Sequence, residues 1–233
     1  MIKSKLKTLV ALTALAFTAQ AFATDKYNTE IPTSIMTPDA VSTSIGELNF
    51  TDGAPTIETT QKLYDHLDTI RSTEVFLNAI PMASLEALRM GHESIGVSKS
   101  NQVVVFDQLM DSNPLFLTGN TDTVYASAFL DLERDGPTVI EVPAGMGPTT
   151  VNDAFFRFVT DLGIVGPDKG KGGKYLILPP GYEGEVPEGY FVSQSTSYVN
   201  WFIARGFLKD GKTDAAVNAY KNELKIYPLA QKN

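Results

Sequence analysis

The spacing of hydrophobic and polar residues changes twice along this chain, and each change predicts a different kind of element. Residues 24–55 keep no period. Pro32, Pro38, Gly46, Gly53 and Pro55 divide them into irregular pieces, with Ile45, Leu48 and Phe50 as candidate edge-strand contacts. From Pro55 and Thr56 a helical spacing sets in. Leu63, Leu67 and Ile70 fall at i, i+4 and i+7, and Glu58 sits where the helix dipole favours negative charge. The pattern runs to Ile80, where Pro81 predicts a break because proline lacks the donor of an interior helix position. A second, shorter helix is expected over 82–90, closed by Gly91, so 56–90 reads as a helix pair.

After Gly96 the period falls to two. Candidate strands are 102–106, 115–118, 123–132, 138–142, 155–160, 174–178, 190–193 and 198–207. The clearest alternation places Val124, Ala126, Ala128, Leu130 and Leu132 on one face, with Tyr125, Ser127, Phe129 and Asp131 on the other. Turn residues between the runs favour a mixed, mainly antiparallel sheet of about eight short strands over βαβ units. A closing helix of about 14 residues is expected from a Thr213 or Asp214 cap to Pro228, with Val217, Tyr220, Leu224 and Tyr227 as its apolar face. The expected class is α+β: an N-terminal helix pair, a large sheet and a C-terminal helix, forming a single domain over 56–233.

The first residues read differently. Lys3, Lys5 and Lys7 precede an apolar run from Leu9 to Phe17 and a small-x-small site at Ala21 and Ala23. Residues 1–23 are therefore expected to be a signal peptide, with the mature chain beginning at Thr24 in the periplasm or outside the cell. The run is shorter than the roughly 20 residues of a membrane span, so no span is expected after its removal. The formal net charge is −8, and loss of the three signal lysines deepens it to −11. That balance argues against nucleic acid or anionic membrane as a partner. Cys is absent, which removes thiolate metal sites, thiol nucleophiles and lipoprotein anchoring.

Candidate chemistry is sparse. The two histidines, His66 and His92, lack the spacing of a helical metal site and read as surface or capping residues, so no metal and no cofactor is expected. The loop Gly-Pro-Asp-Lys-Gly-Lys-Gly-Gly-Lys at 166–174 departs from a phosphate-binding loop and reads as a turn, or as a mobile lid. If 152–161 is one strand, Asp153, Arg157 and Asp161 share a face, which is either an ion-pair brace or a grip on a carboxylate or sugar. Ser94, Ser98 and Ser127 show no triad by spacing. Paired carboxylates (Asp122, Asp131, Asp153, Asp161, Glu183, Glu185) leave a hydrolase open, and late aromatics such as Tyr198 and Trp201 suit a sugar or aromatic ligand as well as a sheet core.

Several blocks together resemble a known family. Asn-Thr-Asp-Thr-Val-Tyr at 120–125, Leu-Asp-Leu at 130–132 and Gly-Pro-Thr-Val-Ile-Glu-Val-Pro at 136–143 are similar to the signature of the bacterial domain of unknown function 1254. The stretch from Gly173 to Gly189, the block from Asn200 to Phe207 and the Phe76-to-Pro81 segment also fit, so the resemblance spans about 46–228. It implies export, a large mixed sheet with flanking helices and, in longer members, a second domain (1214) beyond Tyr227 and Pro228. It carries over no catalytic residue; Asn120, Asp122, Thr123 and Tyr125 match its motif.

The expectation is an exported domain that binds a small molecule or glycan in a pocket near Asn120, Asp122, Thr123 and Tyr125, with Arg157 and Lys174 as further contacts. Two alternatives stay open. One is a structural or interaction half that works with a C-terminal partner domain or a second copy of itself. The other is a carboxylate-based hydrolase.

Overall fold

The structure is a computed structural model that describes residues 30–113 and 119–231. The expected signal peptide and the candidate strand at 115–118 lie outside the described residues. The chain divides into two compact units, one ending at Arg71 and the other beginning at Ser72.

In the first unit, residues 40–55 are not irregular as expected. They form an antiparallel meander of β1 (Ala40–Thr43), β2 (Gly46–Thr51) and β3 (Ala54–Pro55). Its turns rest on left-handed residues, Gly46 at φ 104° and the Asp52–Gly53 pair at φ 51° and 80°. Thr59 fixes the following helix to this sheet, because its hydroxyl accepts the Asn49 amide at 2.7 Å.

The expected helix pair is one continuous helix, α1 (Ile57–Ser94), with Pro81 and Gly91 inside it. An interior proline costs roughly 3 kcal/mol. Within the second unit the turns beyond it offset that cost by packing Leu85 and Leu88 against Phe129, Trp201 and Ile203. The stretch before Pro81 has no such cover: Val75, Phe76, Leu77 and Ile80 are all exposed.

The rest of the second unit contains the strands β4 (Val103–Phe106), β5 (Thr123–Asp131), β6 (Thr138–Val142), β7 (Thr149–Asp153), β8 (Phe158–Leu162), β9 (Gly173–Leu178), β10 (Phe191–Gln194), β11 (Val199–Phe207) and β12 (Lys225–Pro228). They form two sheets. One is antiparallel throughout, in the order β4-β5-β11-β7-β8. The other, β10-β9-β6-β12, has one parallel pair, β10 with β9. The α+β class and mainly antiparallel pairing therefore hold. The single sheet of about eight strands is corrected to twelve described strands in three sheets.

The main core lies between the two larger sheets. Val124, Ala126, Ala128 and Leu130 of β5 meet Ile140 and Val142 of β6, Tyr175 and Ile177 of β9, and Phe202 of β11. The expected inward face of β5 is thus the core face. Leu132 continues it from a single helical turn, α2 (Leu132–Asp135), which Asp131 caps by accepting the Arg134 amide at 3.1 Å.

Two segments depart further from expectation. The span 152–161 is a hairpin, β7 to β8, because Asp153 closes a turn at 154–157. The closing helix α3 (Asp214–Asn222) is shorter than expected, and the chain leaves it to add β12 beside β6, which moves Tyr227 into a strand. Thr213 stands at the N-cap without capping, since its hydroxyl donates to the Asp107 carbonyl. Val217, Tyr220 and Leu224 are buried on the core as the apolar spacing required.

Gly147 shows how closely β11 approaches the turn before β7: a Cβ there would lie 2.1 Å from the Arg205 carbonyl oxygen. Gly147→Ala should therefore cost about 1–3 kcal/mol in urea denaturation. Gly91, with open space around it inside α1, should gain roughly 0.5–1 kcal/mol as Gly91→Ala.

Candidate functional site

The Asn120–Tyr125 motif folds into its own corner. Asn120 Oδ1 accepts the amides of Asp122 at 3.2 Å and Thr123 at 2.9 Å, and the Thr123 hydroxyl at 2.6 Å. The Asn120 amide in turn donates to the Tyr125 hydroxyl at 2.9 Å. An amide side chain suits this role because one carbonyl oxygen can serve several donors without adding charge beside Asp122. Thr123 and Tyr125 are buried, while Asp122 points to solvent. The motif thus fixes the entry to β5 and locks the Tyr125 ring.

The other two expected contacts stand elsewhere. Arg157 returns across the β7–β8 turn to Asp153, Nε to Oδ2 at 2.7 Å, and donates to the Thr196 hydroxyl at 3.0 Å. Burial alone would raise the Asp153 pKa. Hydrogen bonds from Thr196, from the amides of Arg157 and Phe155 and from the Arg157 side chain nevertheless hold it below the usual range. Lys174 lies in the other sheet, 3.0 Å from Glu141, which also accepts the Tyr227 hydroxyl. Those two donors, Tyr227 first, lower the Glu141 pKa, while burial and the Glu141 contact push Tyr227 up to about 12. The six residues therefore form three separate groups, and none of them lines the cavities described next. The loop at 166–174 is tied down instead of free to close: the buried Asp168 carboxylate accepts the Tyr175 hydroxyl and the Gly172 amide.

The cavities lie over the outer face of the five-stranded sheet. Strand pairing lines up Tyr125 with Arg205, Ser127 with Ile203 and Thr150, and Phe129 with Trp201 and Asn152. Asp161 of β8 continues the row through Thr150. Over the β11, β7 and β8 side a hollow of about 310 Å³ is lined by Thr150, Asn152, Phe156, Asp161, Trp201 and Arg205. The Arg205 guanidinium stands 5.8 Å over the Tyr125 ring, so the motif supports this hollow from behind. Phe156 holds a left-handed backbone, φ 63°, fixed by its amide on the Asp153 carbonyl at 3.0 Å. That conformation is unfavourable for a bulky residue. Here it turns the phenyl ring onto Trp201, centroid to centroid 5.6 Å. Asp153 and Asp161 lie on opposite faces of this sheet, because Asp153 pairs with inward Asn200 and Asp161 with outward Thr150. They do not face each other as a hydrolytic pair.

Beneath the C-terminal half of α1 runs a buried polar chain. The Trp201 indole donates to Ser127 Oγ at 2.9 Å, and Ser127 lies 3.1 Å from His92 Nε2. An indole can only donate, so Ser127 Oγ accepts from Trp201 and makes its second contact with the His92 ring. His92 was expected at the surface or as a cap. It is buried inside α1, edge-on to Phe129 at 5.2 Å, and burial lowers its pKa. Ser127 is fully buried, which rules it out as a nucleophile for an incoming ligand. Two further cavities adjoin this chain: an apolar one of about 320 Å³ against Leu85, Phe129 and Trp201, and a polar one of about 220 Å³ against His92 and Phe129.

The family model described as "Protein of unknown function (DUF1254)" matches residues 100–228, more than half of the chain. The chain belongs to the DUF1254 family. No curated protein matches it. Among solved structures it is similar to the VPA0106 protein from Vibrio parahaemolyticus, at 20% sequence identity and a TM-score of 0.41. That similarity covers 48% of this chain and 29% of the other, so the chain spans under a third of that protein's length. The DUF1254 match includes the Asn120 corner, the Phe156 turn and all of β11, while α1 and His92 lie before it. Among the described residues, no group of three or more His, Asp or Glu is placed to hold a metal ion. Nor is any described helix long and apolar enough to cross a membrane.

Asp161 and Trp201 of this hollow are already candidates in the sequence, whereas Thr150, Asn152, Phe156 and Arg205 are not, because the strand pairing that aligns them is not visible along one segment. Trp201, Ile203 and Arg205 alternate on β11 just as Tyr125, Ser127 and Phe129 do on β5, and Trp201 is the only tryptophan. That outward row was the available signal.

His92 links this face to pH. Burial holds its folded pKa below the ordinary value of 6.5, so the unfolded chain binds the proton first. Its contribution to stability is complete above about 6.5 and is lost as pH falls towards the folded pKa. Urea midpoints should fall between pH 7.5 and 5.5 in the wild type. His92→Gln, which retains a polar partner for Ser127, should flatten that part of the profile; an equal slope in both proteins would exclude His92 as its source.

Proposed function

We propose that this domain binds a small polar molecule with a flat apolar face, a glycan or a sugar-like organic acid, in the hollow over β11, β7 and β8. The observation that carries the reading is Arg205, held over the Tyr125 ring while lining a cavity with Trp201, Phe156, Asn152 and Asp161. Aromatic rings offer a surface for the apolar side of a sugar ring, and the amide, carboxylate and guanidinium offer directional partners for its hydroxyls. Asn120, Asp122, Thr123 and Tyr125 then act behind the site as its support, and Arg157 helps brace the turn that carries Phe156. The basic start, apolar run and Ala21–Ala23 site support binding outside the cytoplasm.

Trp201, as the sole tryptophan, reports on this hollow directly. Titrating the mature chain with a panel of sugars and small organic acids should give at least one saturable change in Trp201 emission together with a raised melting temperature. Arg205→Ala and Asp161→Ala should each weaken that ligand about tenfold or more, the scale of a lost charged hydrogen bond. A panel with no stabilising member, or an affinity that both variants leave unchanged, refutes the reading.

The exposed apolar stretch of α1 supports a second reading, an interaction module that pairs with a second copy of itself. Phe76, Leu77 and Ile80 fall on one side of the helix and are 46–67% exposed. A patch of this kind can meet its own copy across a two-fold axis. Sedimentation velocity should show concentration-dependent dimers that Phe76→Glu converts to monomer; a wild type that stays monomeric at all concentrations removes this reading.

A further inference from the structure

The apolar and polar cavities under the C-terminal half of α1 are neighbours. Both are lined by Phe129 and Val199. The apolar hollow is lined by Met82, Ala83, Leu85 and Trp201. The polar mouth brings Arg89, Lys99 and Arg134 together with His92. Its two carboxylates are already engaged: Glu93 holds Arg89 at 2.5 Å, and Asp131 caps α2.

The mouth is also a fixed structure. Asn101 takes a left-handed backbone at φ 67° and is held by its amide on the Phe129 carbonyl at 2.9 Å. Its side chain and the Ser100 hydroxyl both donate to Asp135, and the Lys99 amide donates to Gln102 Oε1 at 2.9 Å. Such strain persists only where the surroundings over-determine it, and it presents Lys99 at a set position.

We propose that this groove is a second binding site, distinct from the sugar hollow, for a single-chain amphiphilic carboxylate. The chain lies against Met82, Leu85 and Trp201, and the carboxylate meets Lys99 at the mouth, beside the Arg134 guanidinium that Asp135 holds at 2.7 Å. A chamber of about 320 Å³ takes one short acyl or arylalkyl chain, not the paired chains of a membrane lipid. The His92 ring stands in the wall of the mouth.

Sub-micellar decanoate, decyltrimethylammonium and phosphatidylglycerol vesicles test the proposal on the mature chain, with Trp201 emission and melting temperature as readouts. Decanoate should bind saturably and at least tenfold more tightly than the cationic amphiphile. Lys99→Glu should weaken decanoate fivefold or more, and Ala83→Phe, a change at an exposed helix position, should fill the chamber and abolish binding. Arg205→Ala should leave decanoate affinity unchanged, which separates this site from the sugar hollow. Equal affinity for both amphiphiles, binding to vesicles without a saturable decanoate response, or undiminished binding by Ala83→Phe would each overturn it.

Discussion

Nine consecutive residue pairs join β5 to β11, from Asp131 with Val199 to Thr123 with Phe207. This register sorts every residue of both strands to one side or the other. Inward, it delivers Val124, Ala126, Ala128, Leu130, Phe202 and Ala204 to the core; outward, it delivers Tyr125, Ser127, Phe129, Trp201, Ile203 and Arg205 to the helix and the cavities. A slip of one residue would exchange the two sets. Core and candidate sites are therefore not separate achievements of the fold. The apolar burial that fixes the register also fixes the outward row.

The Asn120 corner is what starts this pairing in the right place. Its side-chain oxygen immobilises the backbone up to Thr123, and its backbone amide donates to the Tyr125 hydroxyl. At the opposite end of β7 the Asp153 turn does comparable work, since one carboxylate serves two amides, a guanidinium and a hydroxyl. Both corners use a polar side chain as a substitute for backbone partners, which is why polar clusters flank strands otherwise made of Val, Ala and Phe.

Patterning made the strands legible because β5 and β11 alternate, while β6 and β9 are short apolar runs bounded by turn residues. It could not show how they divide between sheets, since two faces buried by two sheets look the same as two faces buried by one. Pro81 misled for a related reason. A local rule about a missing donor was outweighed by Leu85 and Leu88 packing far along the sequence, against Phe129 and Trp201. The 152–161 span is a hairpin and not one strand, yet its Asp153–Arg157 ion pair is present, made across a turn whose backbone amides Asp153 also accepts. The site was half legible: the motif that drew attention proved to support a cavity whose lining residues lie in β7, β8 and β11.

Ser127 shows how a buried polar group extends this logic. Its neighbours Ala126 and Ala128 keep β5 narrow, and a small residue at 127 leaves room for α1 to approach the sheet. A hydroxyl there is fully buried and must be satisfied, which the Trp201 indole and the His92 ring accomplish. Alanine at that position would keep the packing but orphan an indole proton and an imidazole nitrogen at once, each at a desolvation cost of about 1–3 kcal/mol. The three side chains come from α1, β5 and β11, so they satisfy one another only when helix and sheet are docked in one arrangement. The same chain places Trp201 beside two of the cavities and His92 beside the third. The helix that closes the outer face is thus positioned by polar complementarity as well as by Leu85 and Leu88, and the cavities are the space which that positioning leaves unfilled.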